Sequence, residues 1–304
     1  MSIPFHTPVP VDGSAVRAAA AQCGAKENDA AFASIYLLRG KYDTEIAAEN
    51  GMVFRRYRSG YRAGSYGFPL GLRAHLRDAV CRLAADARET GAPLKLSLLN
   101  ETQCAQLEEA FPGAFSVTPA EEYTEYLYLR ENLAALRGSR YHGKRNHIAQ
   151  FWRGDPEAMI QPLIAENAQY AVAIARAWLS SRENPEEPSL QAELRSIEEA
   201  AAAFDVLGMS GLLLYSGGEP IGMTMVSEIS PGIWDVHFEK VKPGFPHAWS
   251  VVANEMAKCL PDAEYLNREE DLGESGMRRS KQSYKPDLLN LKYNAVLKDG
   301  VILC

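Results

Sequence analysis

Three consecutive β-strands joined by tight turns are the feature that most restricts the fold of this sequence. Residues 210–215, 220–229 and 233–241 alternate apolar and polar side chains or form apolar runs, as strands do. Between them lie turn sequences, Ser216-Gly217-Gly218-Glu219 and Ser230-Pro231-Gly232. The spacing predicts an antiparallel meander in the second half of the chain.

The remaining apolar periodicity predicts alternating helices and strands on both sides of this meander. In the first half we expect an opening helix, and then elements at residues 32–40 (strand), 52–58 (strand), 72–87 (helix), 94–100 (strand), 102–110 (helix) and 125–129 (strand). In the second half we expect elements at residues 160–179 (helix after Pro156), 189–204 (helix), 249–260 (helix), 264–267 (strand), 276–284 (helix) and 288–298 (strand).

Each half therefore runs helix, antiparallel strands, Gly/Pro loop, helix, strand, helix, strand. A chain of 304 residues is long for one domain and comfortable for two. We predict an α+β fold of two similar halves, residues 1–135 and 136–304, joined between residues 125 and 150, with the working site in the second. The alternative is one mixed α/β domain of unusual size.

Charge and composition exclude some classes of protein. The net charge of −7 argues against a protein that binds nucleic acid over its whole surface. No apolar run approaches the ~20 residues that cross a bilayer, and the first residues do not resemble a signal peptide, so a cytoplasmic protein is expected. Five scattered cysteines without a CxxC pair predict reduced thiols rather than disulfides or zinc ligands.

The third meander strand carries the first candidate site. On a regular strand Asp235, His237 and Glu239 share one face, while Trp234, Val236 and Phe238 point into a core. Ionisable groups in such a row suit general acid–base chemistry. The alternative is an ordinary solvated sheet face, and a lone histidine such as His237 more often fills a hydrogen-bonding position.

Two segments after that strand add polar groups. The loop 242–248, which contains Gly244 and His247, precedes a helix whose free N–H groups can attract a phosphate or carboxylate group. Farther on, Asn267, Glu269 and Asp271 would share one face if the strand there extends so far. On the following helix a polar stripe is expected, formed by Arg278, Lys281 and Tyr284.

A basic stretch at residues 137–147 stands out in an acidic chain. Its cations are accompanied by aromatic rings that can stack on bases, which suits a polyanion such as RNA. The alternative is a charged linker between the halves. The predicted nucleic-acid ligands are Arg137, Arg140, Lys144 and Arg145.

Two blocks of sequence resemble a known family. They are Leu133-Ala-Ala-Leu-Arg-Gly-Ser-Arg-Tyr-His-Gly-Lys-Arg-Asn-His-Ile148, with Tyr126-Leu-Tyr-Leu129 before it, and Asn267-Arg-Glu-Glu-Asp-Leu-Gly273 with Gly276-Met-Arg-Arg-Ser-Lys-Gln-Ser-Tyr-Lys-Pro286. Both resemble uncharacterised bacterial proteins grouped with the C-terminal domain of phosphatidylglycerol lysyltransferase. The resemblance implies a tandem acetyltransferase-like (GNAT-like) fold related to that of the Fem ligases, and transfer of an aminoacyl group from charged tRNA.

The resemblance also implies roles for single residues. Glu239 falls where many acetyltransferases carry their base, and Tyr284 lies on the helix that commonly supplies their acid. Enzymes that use acetyl-CoA hold it with a glycine-rich loop, whereas residues 242–248 contain one glycine and two prolines. Aminoacyl-tRNA is therefore expected as the acyl donor in preference to acyl-CoA, and no cofactor is predicted.

These observations predict an acyl- or aminoacyltransferase acting on an amine or hydroxyl acceptor, which is a small molecule, lipid or peptide. The predicted catalytic groups are Glu239 as base, His237 in support and Tyr284 as acid, with the N–H groups of 244–248 around the oxyanion. Asp235 and Glu269 would orient a cationic acceptor or an amino group. Further predicted substrate contacts are Gly244, His247, Asn267 and Lys281.

Two other functions compete with this hypothesis. One is a non-catalytic sensor or ligand-binding protein on a degenerate fold, which thermal shifts against acyl-CoAs, amino acids and charged tRNA would distinguish. The other is metal-dependent hydrolysis by Asp235, His237 and Glu269, which the absence of an HExxH-like spacing disfavours. No metal site is predicted.

Overall fold

The computed structural model describes residues 2–304. Up to residue 129 the chain forms five α-helices and six strands. The helices are α1 (Gly13–Cys23), α2 (Phe32–Leu37), α3 (Arg39–Tyr42), α4 (Leu76–Glu89) and α5 (Glu101–Ala110). The strands are β1 (Thr44–Glu49), β2 (Met52–Tyr57), β3 (Ser65–Tyr66), β4 (Lys95–Leu99), β5 (Phe115–Pro119) and β6 (Glu125–Leu129).

From residue 130 onward the chain adds seven helices and seven strands. The helices are α6 (Arg130–Ala135), α7 (His142–Gly154), α8 (Gln169–Ser180), α9 (Pro188–Ala202), α10 (Phe204–Leu207), α11 (Ala248–Cys259) and α12 (Ser275–Ser283). The strands are β7 (Met159–Pro162), β8 (Met209–Ser216), β9 (Glu219–Ser230), β10 (Ile233–Val241), β11 (Tyr265–Asn267), β12 (Leu288–Asn290) and β13 (Tyr293–Leu297).

Two sheets with the same pattern of pairing confirm the α+β, tandem GNAT-like fold. The first sheet has the order β1-β2-β3-β4-β13-β5, and the second has the order β12-β6-β11-β10-β9-β8-β7. In each sheet a meander ends in a strand that pairs in parallel with the next one, β3 with β4 and β10 with β11. A helix, α4 or α11, connects the parallel pair, as a parallel crossover requires.

The two sheets exchange one strand each. β6, the strand that follows β5 in the chain, is inserted between β11 and β12 of the second sheet. β13, which follows β12, is inserted between β4 and β5 of the first sheet. Each sheet therefore contains one strand from the other side of the predicted boundary at residues 135/136. The division of the chain into two independently folding domains stays a prediction.

The second sheet is covered on both faces. One face packs on α1, α2, α8 and α9 through residues such as Phe32, Ile174 and Met225, and we call it the α2 face. The other packs on α7 and α11 through residues such as Phe151 and Val252, and we call it the α11 face. A third cluster lies between the first sheet and helices α4 and α5. The first half of the chain thus contributes α2 to the environment of the second sheet.

Three of the predicted elements are wrong. The terminal strand predicted over 288–298 is two strands, β12 and β13, which belong to different sheets. Residues 32–40 form α2 and α3 instead of a strand, because Phe32 and Ile35, one helical turn apart, are both buried against the second sheet. The helix predicted over 160–179 begins only at Gln169. Its first part is the edge strand β7, and Pro162 inside that segment is unfavourable in a helix interior.

The cysteine prediction is wrong for one pair. Cys81 on α4 and Cys304 form a disulfide, with Cα atoms 5.9 Å apart. The return of β13 to the first sheet carries the C-terminal residues to α4, which the spacing of cysteines along the chain does not reveal. Among residues 2–304, no helix combines the length and the apolar character that crossing a bilayer requires.

Candidate active site

A β-bulge divides β10 into two parts with opposite orientations. Val236 pairs with Val226 and Phe238 with the adjacent Met225, so His237 is an extra residue without a partner in β9. Val236 packs on the α11 face, whereas Phe238 packs on the α2 face, although residues two apart share a face on a regular strand. The side chains therefore change faces at the bulge.

The bulge overturns the prediction that Asp235, His237 and Glu239 share one face. Asp235 and His237 both contact Ser34 of α2, at 3.1 and 3.5 Å from the serine hydroxyl. Glu239 contacts Arg268 at 2.8 Å, and the guanidinium of Arg268 lies 4.8 Å from the ring of Tyr284 on the α11 face. Candidate residues consequently lie on both sides of the sheet.

On the α2 face, Asp235, His237 and Glu269 form a compact cluster. His237 Nδ1 lies 3.4 Å from Asp235 Oδ2 and 3.9 Å from Glu269 Oε1. Its other nitrogen, Nε2, lies 2.7 Å from the hydroxyl of Ser227. Burial lowers the pKa of His237 to about 3, so the imidazole is neutral at physiological pH.

The two carboxyl groups of this cluster lack a cationic partner. Burial, followed by repulsion from Glu125, raises the pKa of Asp235, and burial together with repulsion from Asp235 raises the pKa of Glu269. Across residues 2–304, no lysine or arginine nitrogen lies within 4.0 Å of either carboxylate. Lys281 is near the cluster, but its ammonium group donates to the backbone carbonyl of Glu270.

A small pocket next to the cluster is lined by aromatic rings and acids. Tyr61 and Tyr123 stack with ring centroids 4.3 Å apart, and the carboxylate of Glu270 accepts a hydrogen bond from Asn28 at 3.1 Å. The pocket is lined from the first half of the chain by Asn28, Asp29, Ser34, Tyr42, Tyr57, Tyr61, Arg62, Tyr123 and Glu125, among others. The predicted site residues all lie in the second half, so sequence reasoning missed this contribution.

On the α11 face, Arg268 connects two of the predicted catalytic residues. It forms an ion pair with Glu239, whose side chain is 11% exposed, and its Nη1 atom is buried without a hydrogen-bond partner. Tyr284 is 4% exposed and lies on the same face. Glu239 and Tyr284 therefore meet around one guanidinium group, and Glu239 is held by a cation rather than free.

Further basic groups surround Tyr284. Lys144 Nζ lies 3.5 Å from the centre of the Tyr284 ring, and burial followed by repulsion from Arg268 lowers the pKa of Lys144 to about 8. The rings of His147 and His247 lie 5.1 Å apart, and His147 Nδ1 is 3.5 Å from the hydroxyl of Ser250. The two cations of this cluster, Lys144 and Arg268, favour an anionic ligand next to the first turn of α11.

Between the two clusters the edge of β10 is open. β10 and β11 pair only from Ile233 with Tyr265 to Asp235 with Asn267, and beyond Asp235 the remaining residues of β10 have no partner in β11. Parallel strands that separate in this way leave backbone N–H and C=O groups available to a ligand.

β11 is shorter than predicted. It ends at Asn267, and Glu269 has a left-handed backbone (φ 56°), so Asn267, Glu269 and Asp271 do not alternate along a strand. The amide of Asn267 binds Glu125 at 2.9 Å and the carbonyl of Lys26. Asp271 instead accepts hydrogen bonds from Arg278, which lower its pKa to about 2, and from Tyr126.

The basic stretch is mostly helical rather than a linker. It includes the first turns of α7, which place Lys144 beside Tyr284. Arg137 is exposed, and Arg140 lies 3.8 Å from Asp287 with its side chain 48% exposed. Arg145 donates to the carbonyls of Leu136 and Gly138 and so also caps α6. Gly244 is exposed in the preceding loop of α11.

The family model described as phosphatidylglycerol lysyltransferase, C-terminal, matches residues 21–296, which is most of the chain. The chain belongs to this family. The match confirms the resemblance read from the two sequence blocks, and it covers both sheets and both clusters of the candidate site. No curated protein matches the chain in sequence.

Solved structures agree with the phosphatidylglycerol lysyltransferase C-terminal family. A conserved protein of unknown function from Bacteroides thetaiotaomicron is 28% identical, with a TM-score of 0.92 over 97% of this chain and 100% of that one. The C-terminal domain of a protein assigned as a lysylphosphatidylglycerol synthetase, from Agrobacterium fabrum, is 14% identical, with a TM-score of 0.64 over 96% and 94%. L-PGS from Bacillus licheniformis is 12% identical, with a TM-score of 0.60 over 90% and 88%.

Family and fold together make this chain a protein of the acyltransferase kind. In the two-sheet fold of the family, the position that corresponds to the open edge of β10 is the end of β3 and β4. A pocket of about 350 Å³ lies there, between the end of α1, the start of α5 and β12. Its lining includes Asn100 and Gln103, which cap α5, and the cations Lys26 and Arg73 alternate there with the acids Glu27 and Glu101.

The pKa of Lys144 gives the cationic cluster an expected pH dependence. An anion binds best while Lys144 is protonated, which holds below about pH 8, and binding weakens as the pH rises through that value. We therefore expect the affinity for an anionic ligand, with tRNA as the probe, to fall between pH 7 and pH 9. Fluorescence anisotropy of labelled tRNA would measure this, with Lys144→Met flattening the profile and the distant, exposed Lys298→Met leaving it unchanged.

Proposed function

We propose that this chain transfers an aminoacyl group from an ester donor, aminoacyl-tRNA, to an amine or hydroxyl acceptor. The observation that carries the proposal is the open edge of β10 beyond Asp235, which borders the cluster of Arg268, Tyr284 and Lys144. The reacting carbonyl group lies at this edge. Membership of the family supports the acyltransferase chemistry, and the cluster supports an anionic donor.

Transfer requires a group that returns a proton to the leaving oxygen and donors that stabilise the oxyanion. Tyr284 serves as the acid in this proposal, because its phenol is buried and its burial raises its pKa, which keeps the proton on the oxygen. Unpaired backbone N–H groups at the open edge, together with those of the loop 244–248, donate hydrogen bonds to the oxyanion in this proposal.

In this proposal Glu239 positions a neighbouring group and does not act as the catalytic base. Its ion pair with Arg268 at 2.8 Å supports a positioning role, in which the carboxylate holds the guanidinium beside Tyr284. The acceptor then loses its proton to solvent, because Lys144 is used as a cation for the anionic donor. The roles predicted for His247 and Asn267 stay predictions. His237 lies on the opposite face of the sheet from Glu239 and has no supporting part in this proposal.

The donor is argued from local charge. Although the net charge is −7, the start of α7 and the region before it carry Arg137, Arg140, Lys144 and Arg145. α12 adds Arg278, Arg279 and Lys281 on a neighbouring element. A basic surface of this extent suits the phosphates of an RNA. The loop 242–248, with its two prolines, supports aminoacyl-tRNA over acyl-CoA as the donor.

Replacing Arg137, Arg140, Lys144 and Arg145 together by alanine is expected to weaken tRNA binding strongly. The slope of log affinity against log salt should also fall by roughly one for each phosphate that the variant no longer neutralises. Filter binding across a salt series measures both quantities. A matched control replaces four exposed cations that lie near the first sheet, Arg73, Arg77, Arg88 and Lys298. If the two variants weaken tRNA binding equally, the basic stretch is not a specific binding site for tRNA.

The experiment that tests the function follows radiolabelled amino acids from charged tRNAs, supplied one amino acid at a time. The acceptors offered are vesicles containing phosphatidylglycerol, free amines and short peptides. We expect at least one donor to lose its label to one class of acceptor. Intact esters in every mixture, combined with tight binding of tRNA or of a small ligand, would favour the non-catalytic binding protein. Tight stoichiometric binding of acetyl-CoA would contradict the choice of donor.

A further inference from the structure

The cluster of Asp235, His237 and Glu269 offers three ligand atoms to one point. One imidazole nitrogen and one oxygen from each carboxyl group all lie within 4.8 Å of one another. The three residues are 34 positions apart at most, and the parallel pairing of β10 with β11 brings them together. They do not follow an HExxH-like spacing, which is why the sequence pattern did not indicate them.

Polar contacts around the cluster orient its members. Ser227 binds His237 Nε2 at 2.7 Å, which directs Nδ1 toward the two carboxyl groups. Ser34 donates to Asp235 Oδ2 at 3.1 Å. A hydrogen bond to the far nitrogen of a histidine, such as that of Ser227 to His237, is typical of the outer shell of a metal site. Ser34 instead lies on the inner side of the cluster, because its hydroxyl donates to Asp235 Oδ2 and lies 3.5 Å from His237 Nδ1.

Within residues 2–304, the carboxyl groups of the cluster have no paired cation to balance their negative charge. Asp235 is 0% exposed, and its Oδ1 atom has no hydrogen-bond partner. A buried carboxylate without a partner is costly, and a cation removes the cost. The side chain of Glu269 is 31% exposed, so solvent and a small ion can reach the cluster from that side.

The distances distinguish a metal ion from an ammonium group. Ligand atoms about 2.0–2.2 Å from a metal are about 3.0–3.6 Å apart in octahedral or tetrahedral geometry. Acceptors of an ammonium group, at about 2.8 Å from its nitrogen, lie about 4.6 Å apart. The separation of 3.4 Å from His237 Nδ1 to Asp235 falls in the metal range, and that of 3.9 Å to Glu269 lies between the two ranges, closer to that of the metal.

We propose that Asp235, His237 and Glu269 bind one divalent first-row metal ion, Mn²⁺ or Zn²⁺, through His237 Nδ1 and one carboxylate oxygen each. A mixed set of imidazole and carboxylate ligands suits these ions. The site goes beyond the proposed transfer reaction, which has no step that uses it. It also replaces the assignment of Asp235 and Glu269 to an amino group and the expectation that the chain has no metal site.

Metal binding to the full chain tests the proposal without any substrate. After treatment with a chelator and its removal, calorimetric titration with MnCl₂ and with ZnCl₂ is expected to show one site per chain for at least one ion. The electron paramagnetic resonance signal of Mn²⁺ gives an independent count. Asp235→Asn and His237→Gln should abolish this site, and His75→Gln, at an exposed histidine of the other half, should not.

A variant that keeps all three ligands distinguishes a direct loss of metal binding from a loss of folding. Ser227→Ala removes only the hydroxyl that orients His237, and it should weaken the metal by about 10–100-fold, as outer-shell changes do. Absence of a stoichiometric site in the wild-type chain would overturn the proposal. So would metal binding that Asp235→Asn and Ser227→Ala both leave unchanged. Thermal stabilisation by ethylammonium and not by metal would overturn it in favour of an amino-group site.

Discussion

Replacing Tyr284 by phenylalanine is expected to lower aminoacyl transfer by about 10²–10⁴-fold while the protein still folds. The change removes one oxygen from a side chain that is 4% exposed and keeps the ring on which Lys144 and Arg268 rest. The loss should appear in kcat more than in KM, because a proton donor acts in the transition state. Single-turnover transfer with saturating donor measures this.

A tyrosine outside the site provides the control for this variant. Tyr170, which is 40% exposed and lies in α8, loses the same oxygen in Tyr170→Phe and should retain wild-type transfer. If Tyr284→Phe transfers at the wild-type rate, the phenol is not the acid. If it loses activity together with most of its thermal stability, the effect is structural, and the assignment of Tyr284 as the acid fails.

Replacing Lys292 by methionine is expected to lower the free energy of unfolding by about 3–5 kcal/mol. Lys292 precedes β13 and pairs at 2.8 Å with Glu125, the first residue of β6, and both side chains are 1% exposed. The pair therefore joins the two exchanged strands. Without its lysine, Glu125 would remain a buried carboxyl group whose pKa burial already raises. Urea denaturation followed by fluorescence measures the loss.

Two further variants separate this pair from an ordinary ion pair. Adding Glu125→Gln to the methionine variant removes the uncompensated charge and should recover part of the stability. Lys258→Met, which removes the exposed partner of Glu255, should change the stability by about 0–1 kcal/mol. A decrease below about 1 kcal/mol for Lys292→Met would show that the exchanged strands do not depend on this ion pair.

Much of the fold follows from local patterns. The meander, α4, α5, α9, α11 and α12 lie close to their predicted positions, because each has an apolar period matched to its structure. The exchange of β6 and β13 could not be predicted in this way. Each strand has an ordinary sequence, and which sheet it joins depends on partners that lie far along the chain. The disulfide between Cys81 and Cys304 was missed for the same reason.

The candidate site was predicted only in part. The sequence identified two polar segments, the strand with Asp235 and His237 and the segment with Glu269. In the structure these three side chains lie close together. The bulge that turns Glu239 to the opposite face inserts one residue without a glycine or proline to mark it. Ser34 was missed because its segment was interpreted as a strand. Arg268 lies within the identified segment, but its buried contact with Glu239 is visible only in three dimensions.

The location of a bound donor tests the account most directly. A stable amide analogue of an aminoacylated 3′-terminal adenosine with a 5′-phosphate would be crystallised with the chain. The account predicts its acyl carbonyl at the edge of β10 between His237 and Glu239, and its phosphate within hydrogen-bonding distance of Lys144 or Arg268. An analogue bound instead in the pocket at the end of β3 and β4, beside Asn100, would contradict it.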